Sequence, residues 1–535
     1  MKKPIGIAFL LLAALSFQGV TTAGERTRPQ LEGKVLLRNP RVRNARQIGS
    51  YAPLRTFGRS LHQDRTSGVR SAGPQAAGGA TPLVFQGLKS KSSLTPSDVN
   101  GDVGPNHYVQ GINSGSGTTI GVFNKSGTLL QRMGLQSLWK RGPCRNQAQG
   151  DPVIQYDAMA GRWLLTQFAF TDTERGPLPP FYECIALSNT SDPLGPGKTY
   201  TFLVDGTWFP DFPKFGVWSD GYYMTVHLFD KDFDFKGQGV IAFDRASMLA
   251  GTKPRGSYRD KVPAQYFYNP SHYGALPADV VGTTPPPPGA PNYMVIAKDD
   301  DLFATTTEDR IDLMTFTVDW DNSDNSKVRR VAKLPTAPFK SVLCRGWGAC
   351  IPQPDSAMEL DPLAGFKETG NLLMYPLSYR NFGTSESLVF NHTVNVGDNR
   401  AGIRWYELVD PGGTPSVRQQ STFAPSSQNR WNGSISMDGD GNIGLAYSVS
   451  GRSQYPSVRY TSHLSGDPLD SMRAERSIVE GGGSQLGSNR WGDYTSTQID
   501  PDDDCTFWHT NQYYKQSRYY NWDTIIGAFK LPSCP

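Results

Sequence analysis

Gly150-Asp151-Pro152-Val153-Ile154-Gln155-Tyr156-Asp157, running on into Trp163-Leu164-Leu165-Thr166-Gln167-Phe168, decides the fold because its outline returns twice further down the chain. Pro354-Asp355-Ser356-Ala357-Met358-Glu359-Leu360-Asp361 leads into Asn371-Leu372-Leu373-Met374-Tyr375. Trp431-Asn432-Gly433-Ser434-Ile435-Ser436-Met437-Asp438 leads into Asn442-Ile443-Gly444-Leu445-Ala446-Tyr447. In each, an Asp or Asn opens the unit, apolar residues follow at the third and fifth positions after it, and an Asp closes it at the sixth. That is period-2 strand alternation followed by a hairpin. Looser copies open at Asp98, Asp211, Asp279 and Asp493, so seven openings are separated by 53, 60, 68, 76, 77 and 61 residues. A four-stranded blade needs about 40 to 45 residues, which leaves a surplus for loops. Radial repetition of such units hides sheet edges by closure. The expectation is therefore an all-β chain forming a single seven-bladed β-propeller over 81–535, with six or eight blades as alternatives.

The composition agrees. Of 535 residues, 56 are Gly and 40 are Pro, while charged residues make up 19%. That is a turn-rich chain, unlike a helical bundle. The formal charge of +4 is unevenly spread. Gly24 to Ala72 holds eleven Arg or Lys against Glu25, Glu32 and Asp64, a local +8. Taking that +8 and the +2 of Lys2 and Lys3 from +4 leaves −6 for the rest. An acidic body is a poor partner for nucleic acid.

Met1-Lys2-Lys3, the apolar run from Ile5 to Phe17 and Thr21-Thr22-Ala23 read as a signal peptide over 1–23. Residues 24–80 read as a basic, weakly patterned leader or linker, with an electrostatic tether to anionic envelope polymers as its functional alternative. No other apolar run approaches the ~20 residues a bilayer requires, so no membrane span is expected. The chain is expected to be exported, secreted or periplasmic, and open to association with the cell surface. Six cysteines without C-x-x-C spacing suit an oxidising compartment. Fifteen pairings are possible for six cysteines. Proximity favours Cys144 with Cys184, Cys344 with Cys350, and Cys505 with Cys534.

The repeated carboxylates fall into two sets. A strand of six residues at about 3.3 Å each puts the opening and closing residues some 20 Å apart, on opposite faces of a propeller. The closing set, Asp157, Asp220, Asp361, Asp438 and Asp500, suits Asx-turn capping. The opening set, Asp98, Asp151, Asp211, Asp279, Asp355, Asn432 and Asp493, would converge on one channel mouth. There each residue either ties down its own turn or joins a shared site. Facing carboxylates repel unless a cation relieves them, and Ca²⁺ with Asp98, Asp151, Asp211 and Asp493 as ligands is the metal expected. Asp98 to Gly104 and Asp438 to Gly444 mimic calcium loops, but their glycine is at position 7 and Val109 or Val449 stands where an EF-hand needs Glu. No nucleotide, flavin or haem is expected.

Gly481-Gly482-Gly483-Ser484-Gln485-Leu486-Gly487-Ser488-Asn489-Arg490-Trp491-Gly492-Asp493-Tyr494 reads as a mobile loop delivering Arg, Trp, Asp and Tyr to a sugar, or as a packed inter-blade tryptophan with its arginine. Tyr455 and Arg459 add aromatic and cationic groups. His227 and His509 are candidate general bases beside tyrosines, as a lyase needs, or ordinary strand histidines. No nucleophile elbow, H-E-x-x-H or sialidase repeat is present.

The units from Gly150 to Asp157, from Phe215 to Tyr223, and from Arg490 to Ser496 with Asp504 to Trp508 resemble those of a group of large secreted bacterial propeller-like exoproteins. The resemblance spans most of the chain after Pro96. It implies export and fold, and carries over no catalytic residue. The leading expectation is a propeller binding an extracellular polymer, a glycan above all, at the channel mouth. A glycoside hydrolase using carboxylates from different blades, a lyase using His, Tyr and Arg, and a surface interaction scaffold are the alternatives.

Overall fold

The computed structural model describes residues 81–90, 94–254, 274–302, 306–322, 325–344, 348–362 and 372–534. Residues 1–80, where a signal peptide and a basic leader are expected, lie outside them. What is described is nearly all-β, with two short α-helices at Pro143–Asn146 and Arg245–Ala250.

The strands follow one another as antiparallel meanders. The first runs Asn100–Val103, His107–Ser114, Gly117–Asn124 and Leu129–Gly134. The second joins Ala148–Gly150 and Ile154–Asp157 to Arg162–Thr173, Gly176–Ser188 and Gly197–Asp205. The third has Phe209–Val217, Gly221–Phe229 and Phe235–Asp244. The fourth starts at Leu276–Val280 and the fifth at Leu373–Asn381, and these two first strands pair in parallel, fusing both meanders into an eight-stranded sheet. The sixth begins at Asn429–Met437. The seventh runs Ser496–Ile499, Thr506–Tyr513 and Asp523–Lys530, and its outermost strand is Leu83–Lys89 from the start of the described chain.

Burial falls from the first strand of a meander to the last. Ile154–Asp157, Leu276–Val280 and Ser496–Ile499 are buried throughout. Lys327–Pro335, outermost in the fourth meander, is mostly exposed and carries Lys327, Arg329, Arg330 and Lys333, charges that discourage edge pairing. Middle strands are buried on both faces, because neighbouring meanders pack face to face. Trp218 of the third meander meets Tyr293 of the fourth and Tyr379 of the fifth edge-on, at 5.6 and 4.7 Å between ring centroids. This is why Tyr222-Tyr223-Met224-Thr225-Val226 does not alternate.

Side chains stitch the first strands to one another. Asn100 Oδ1 accepts from Ile154 N at 2.8 Å and Asp102 Oδ2 from Tyr156 N at 2.6 Å, tying the first meander to the second. Asp279 Oδ1 accepts from Val217 N at 2.9 Å, fourth to third. Ser434 Oγ donates to the Tyr375 carbonyl at 2.9 Å and accepts from Thr497 N at 2.7 Å, sixth to fifth and seventh. Each bond satisfies a buried backbone group that a short inner strand would otherwise leave unpaired.

The recurrent opening residue has a backbone explanation. Asp98, Asp151 and Asn432 take φ of 42°, 50° and 51°, and Phe212 after Asp211 takes 59°. Asp and Asn tolerate this left-handed conformation better than other side chains. The kink falls where the register slips, between Asp211 and Lys214 and between Trp431 and Ser434. The opening Asp or Asn thus marks a bulge leading into the inner strand.

Two expectations are corrected. Asp355 to Asp361 is not the first strand of the fifth meander. Pro352 and Pro354 lack backbone donors, and the segment instead crosses to 484–490. There Gln353 and Gln485 exchange two bonds and Asp361 N donates to the Asn489 carbonyl at 2.8 Å. Asp279 lies within its strand, not ahead of it, accepting from Val217 N and Gln498 Nε2. The three disulfides pair as proximity suggested: Cys144–Cys184, Cys344–Cys350 and Cys505–Cys534.

Candidate functional site

The bulges bring five of the seven opening residues to one place. Asp98 accepts from Asn113 Nδ2 at 2.5 Å through one oxygen and from Asp493 N at 2.8 Å through the other, so the first and seventh meanders share it. Asn113 Oδ1 accepts from Asp151 N at 2.9 Å. Tyr494 donates its hydroxyl to Asp151 Oδ2 at 3.0 Å, joining the seventh meander to the second. Asp211 Oδ1 accepts from Phe212 N at 2.9 Å. Arg490 grips Asp493 Oδ2 at 2.5 Å. Asn432 donates from Nδ2 to the Gly492 carbonyl at 3.1 Å.

A lysine sits among these carboxylates. Lys214 is fully buried, its ammonium 3.4 Å from the Phe212 ring centroid and 3.1 Å from that of Tyr494, and among the described residues it has no hydrogen-bond acceptor. Burial pulls it down to about 7, against the opposing pull of Asp151, Asp493, Asp98 and Asp211. Burial also raises the carboxyls, helped by their mutual repulsion. Asp151 is pushed to about 7 with Asp211 and Asp493 as the repelling charges, and Asp211 to about 6 with Asp493. Asp98 is raised well above the usual range by burial, then by Asp493 and Asp151. Buried Glu183, close enough to feel Asp151, is raised likewise.

Among the described residues, no three of the carboxylates expected to hold calcium, Asp98, Asp151, Asp211 and Asp493, bring oxygens within 4.8 Å of one another; the group of acidic residues that does so is Asp299, Asp300 and Asp301. Lys214 lies among the four expected ligands.

Beside Arg490 the mouth opens into a recess of about 10 Å³ lined by Pro362, Leu372, Met374, Thr393, Asn432, Gly492 and Asp493. Asp493 Oδ1 and Asn432 Oδ1 are both buried and lack any partner among the described residues. The Asn432 amide orientation is set by its bond to Gly492, which leaves the oxygen as the free atom. A carboxylate oxygen and a carboxamide oxygen therefore meet an apolar floor of Leu372 and Met374. That combination asks for a polar hydrogen donor on a largely apolar frame.

No protein-family model matches the chain, and no curated protein does. Solved structures do resemble it at low levels. One, a polysaccharide lyase named as an ulvan lyase, is 11% identical over 84% of this chain and 97% of its own, with a TM-score of 0.39. An α-L-arabinofuranosidase from Fusarium graminearum is 7% identical over 85% and 99%, with a TM-score of 0.39. An α-L-arabinanase of Penicillium chrysogenum is 11% identical over 72% and 99%, with a TM-score of 0.33. At these values they assign neither residues nor activity to this chain.

The remaining expected site residues lie elsewhere or are sealed. Trp491 packs edge-on against Trp431 at 5.9 Å and donates to Ser448 Oγ at 3.2 Å, so it is an inter-sheet wedge with no face for a sugar. Tyr494 is buried, and its contribution is the hydroxyl on Asp151. Tyr455 donates to Asp355 Oδ2 at 2.5 Å, away from the ring. Arg459 is committed to Glu475 and Glu480 at 2.9 Å each. His227 stacks behind Phe212 at 5.2 Å and His509 bonds Thr497 inside the seventh meander. Burial holds both imidazoles neutral, near 3. The glycine-rich run is held in close packing. A Cβ on Gly483 would lie 1.9 Å from the Gln516 backbone, and Gly482 N bonds the Tyr514 carbonyl. Of the closing residues, Asp157, Asp438 and Asp500 cap local turns, Asp220 accepts from the Tyr223 hydroxyl, and Asp361, expected in a turn on the far face, instead lies beside Arg490. Asp157 and Asp438 accept from backbone N–H groups two to four residues on, and Asp157 also holds Arg245 at 2.7 Å.

Sequence reasoning missed Lys214, Asn113, Phe212 and Glu183. Lys214 carried a signal, a lone cation between Phe212 and Phe215 in an otherwise apolar strand. Asn113 and Glu183 carried none, since only strand pairing brings them to the mouth.

Proposed function

We propose that the chain is an exported seven-bladed β-propeller that binds an extracellular glycan at the mouth formed by its opening residues. The single observation that carries the binding reading is the pair of buried, partnerless oxygens on Asp493 and Asn432 above Leu372 and Met374. Sugar hydroxyls supply the donors. Closure is supported by contacts between successive first strands and by the N-terminal strand in the seventh sheet. Export is supported by the signal peptide pattern and three disulfides. Among the described residues no helix is long and apolar enough to cross a membrane.

A hydrolase at the same mouth is the second reading, favoured by Asp151 and Asp211 holding protons to about 7 and 6 beside the ion-paired Asp493. The lyase form has weaker support, because neither His227 nor His509 reaches the mouth as a base.

The test is a panel of neutral, amino and acidic polysaccharides, read by affinity electrophoresis and by release of reducing ends. Binding that falls in Asp493→Ala and Asp151→Ala and persists in Asp438→Ala supports the mouth. Equal losses in all three, or no binding by the wild type, defeat it. New reducing ends would make the protein a hydrolase.

A further inference from the structure

Resting on the glycan reading, the chemistry of the recess narrows the ligand. The two free atoms in it, Asp493 Oδ1 and Asn432 Oδ1, are both acceptors, and both are at least nine-tenths buried. Burial raises Asp98, Asp151, Asp211 and Glu183, so the carboxylate that faces the recess is Asp493. Lys214 is turned between Phe212 and Tyr494, and Arg490 spends one guanidinium nitrogen on the other oxygen of Asp493. A free volume of about 10 Å³ holds one water-sized group. An acetamido group exceeds it, and a sugar carboxylate would face Asp493 Oδ1 with like charge. A protonated primary amine has the right size, three donors and the complementary charge.

We infer that the recess receives the ammonium of an amino sugar, so the mouth selects glycans with free amino groups over N-acetylated, neutral and uronic ones. The ammonium donates to Asp493 Oδ1 and Asn432 Oδ1, and the sugar ring stays outside the recess. A hydroxyl in the same place makes neutral hydrogen bonds only. The difference between charged and neutral bonds to a buried carboxylate corresponds to about tenfold in affinity.

The experiment is isothermal titration of the mature protein with hexamers of glucosamine, N-acetylglucosamine, glucose and galacturonic acid, in chelator. The glucosamine hexamer is expected to bind about tenfold more tightly than the glucose hexamer. In Asp493→Asn, which keeps shape and removes charge, that preference is expected to vanish. Asn432→Gly, which accommodates the φ of 51°, should weaken the amino ligand and lower the melting temperature through the lost bond to the Gly492 carbonyl. Equal affinity for amino and neutral hexamers, or an amino preference that survives Asp493→Asn, overturns this inference and leaves the glycan reading standing. Failure of every hexamer to bind overturns both.

Discussion

Replacing Asp151 by Asn should stabilise the protein, and more so as pH rises. In the folded chain Asp151 keeps its proton to about 7, because of burial and the charges of Asp211 and Asp493. The unfolded chain releases it near the ordinary 3.8. Below 3.8 both states hold the proton and the carboxyl costs nothing. Between 3.8 and 7 the unfolded chain ionises while the folded chain does not, so stability is lost as pH rises, and above 7 the loss is constant. The gap amounts to about 4 kcal/mol. Asp151 is half-buried, and solvent screening reduces the figure to about 2 kcal/mol. The carboxamide keeps what the site needs. Its oxygen accepts from Tyr494, the backbone N–H still donates to Asn113, and Asn tolerates the left-handed φ of 50°. Urea unfolding followed by tryptophan fluorescence should show Asp151→Asn more stable than wild type by about 2 kcal/mol near pH 8 and by less than half of that near pH 5. A gain independent of pH, or a loss at the higher pH, would refute the claim that burial and the neighbouring carboxylates hold the Asp151 proton.

Other outcomes follow from the same contacts. Removing the Cys144–Cys184 bridge, which spans 40 residues, should cost about 4 kcal/mol by loop entropy; removing Cys344–Cys350, which spans 6, about 2 kcal/mol, both read from denaturation midpoints. Gly483→Ala should destabilise by about 3 kcal/mol or lower the soluble yield, since its Cβ meets backbone at 1.9 Å; an unchanged melting temperature would mean that the run from Gly481 to Gly487 is a free loop after all. Trp491→Phe should lose about 2 kcal/mol through the missing bond to Ser448 and the thinner wedge against Trp431, while ligand preference in the hexamer titration stays as in wild type.

How far the residues announce this structure depends on whether a signal is local. The repeated Asp or Asn, the alternation behind it and the closing Asp all express backbone needs within one meander, a left-handed bulge, a short strand and an Asx turn, and such needs leave local traces. The fifth unit misled because Met358 and Leu360 alternate like a strand, yet Pro352 and Pro354 and the bonds of Gln353 to Gln485 hold that segment in another place. The mouth was legible in its acids and not in its counter-charge. Lys214 acquires its role only when Phe212 and Tyr494, nearly three hundred residues apart, close over it. Aromatic residues drew attention as sugar platforms, but Trp491 and Tyr494 are drawn inward by the packing of sheet against sheet, which needs large apolar wedges.

The central claim is that the opening-residue end is where a ligand binds, and that the end carrying Asp157, Asp438 and Asp500 is turn structure. A crystal of the mature protein soaked with glucosamine hexamer tests it most directly. The account predicts a sugar nitrogen within hydrogen-bond distance of Asp493 Oδ1 and Asn432 Oδ1. A hexamer seated instead at Asp157, Asp438 or Asp500 would contradict it.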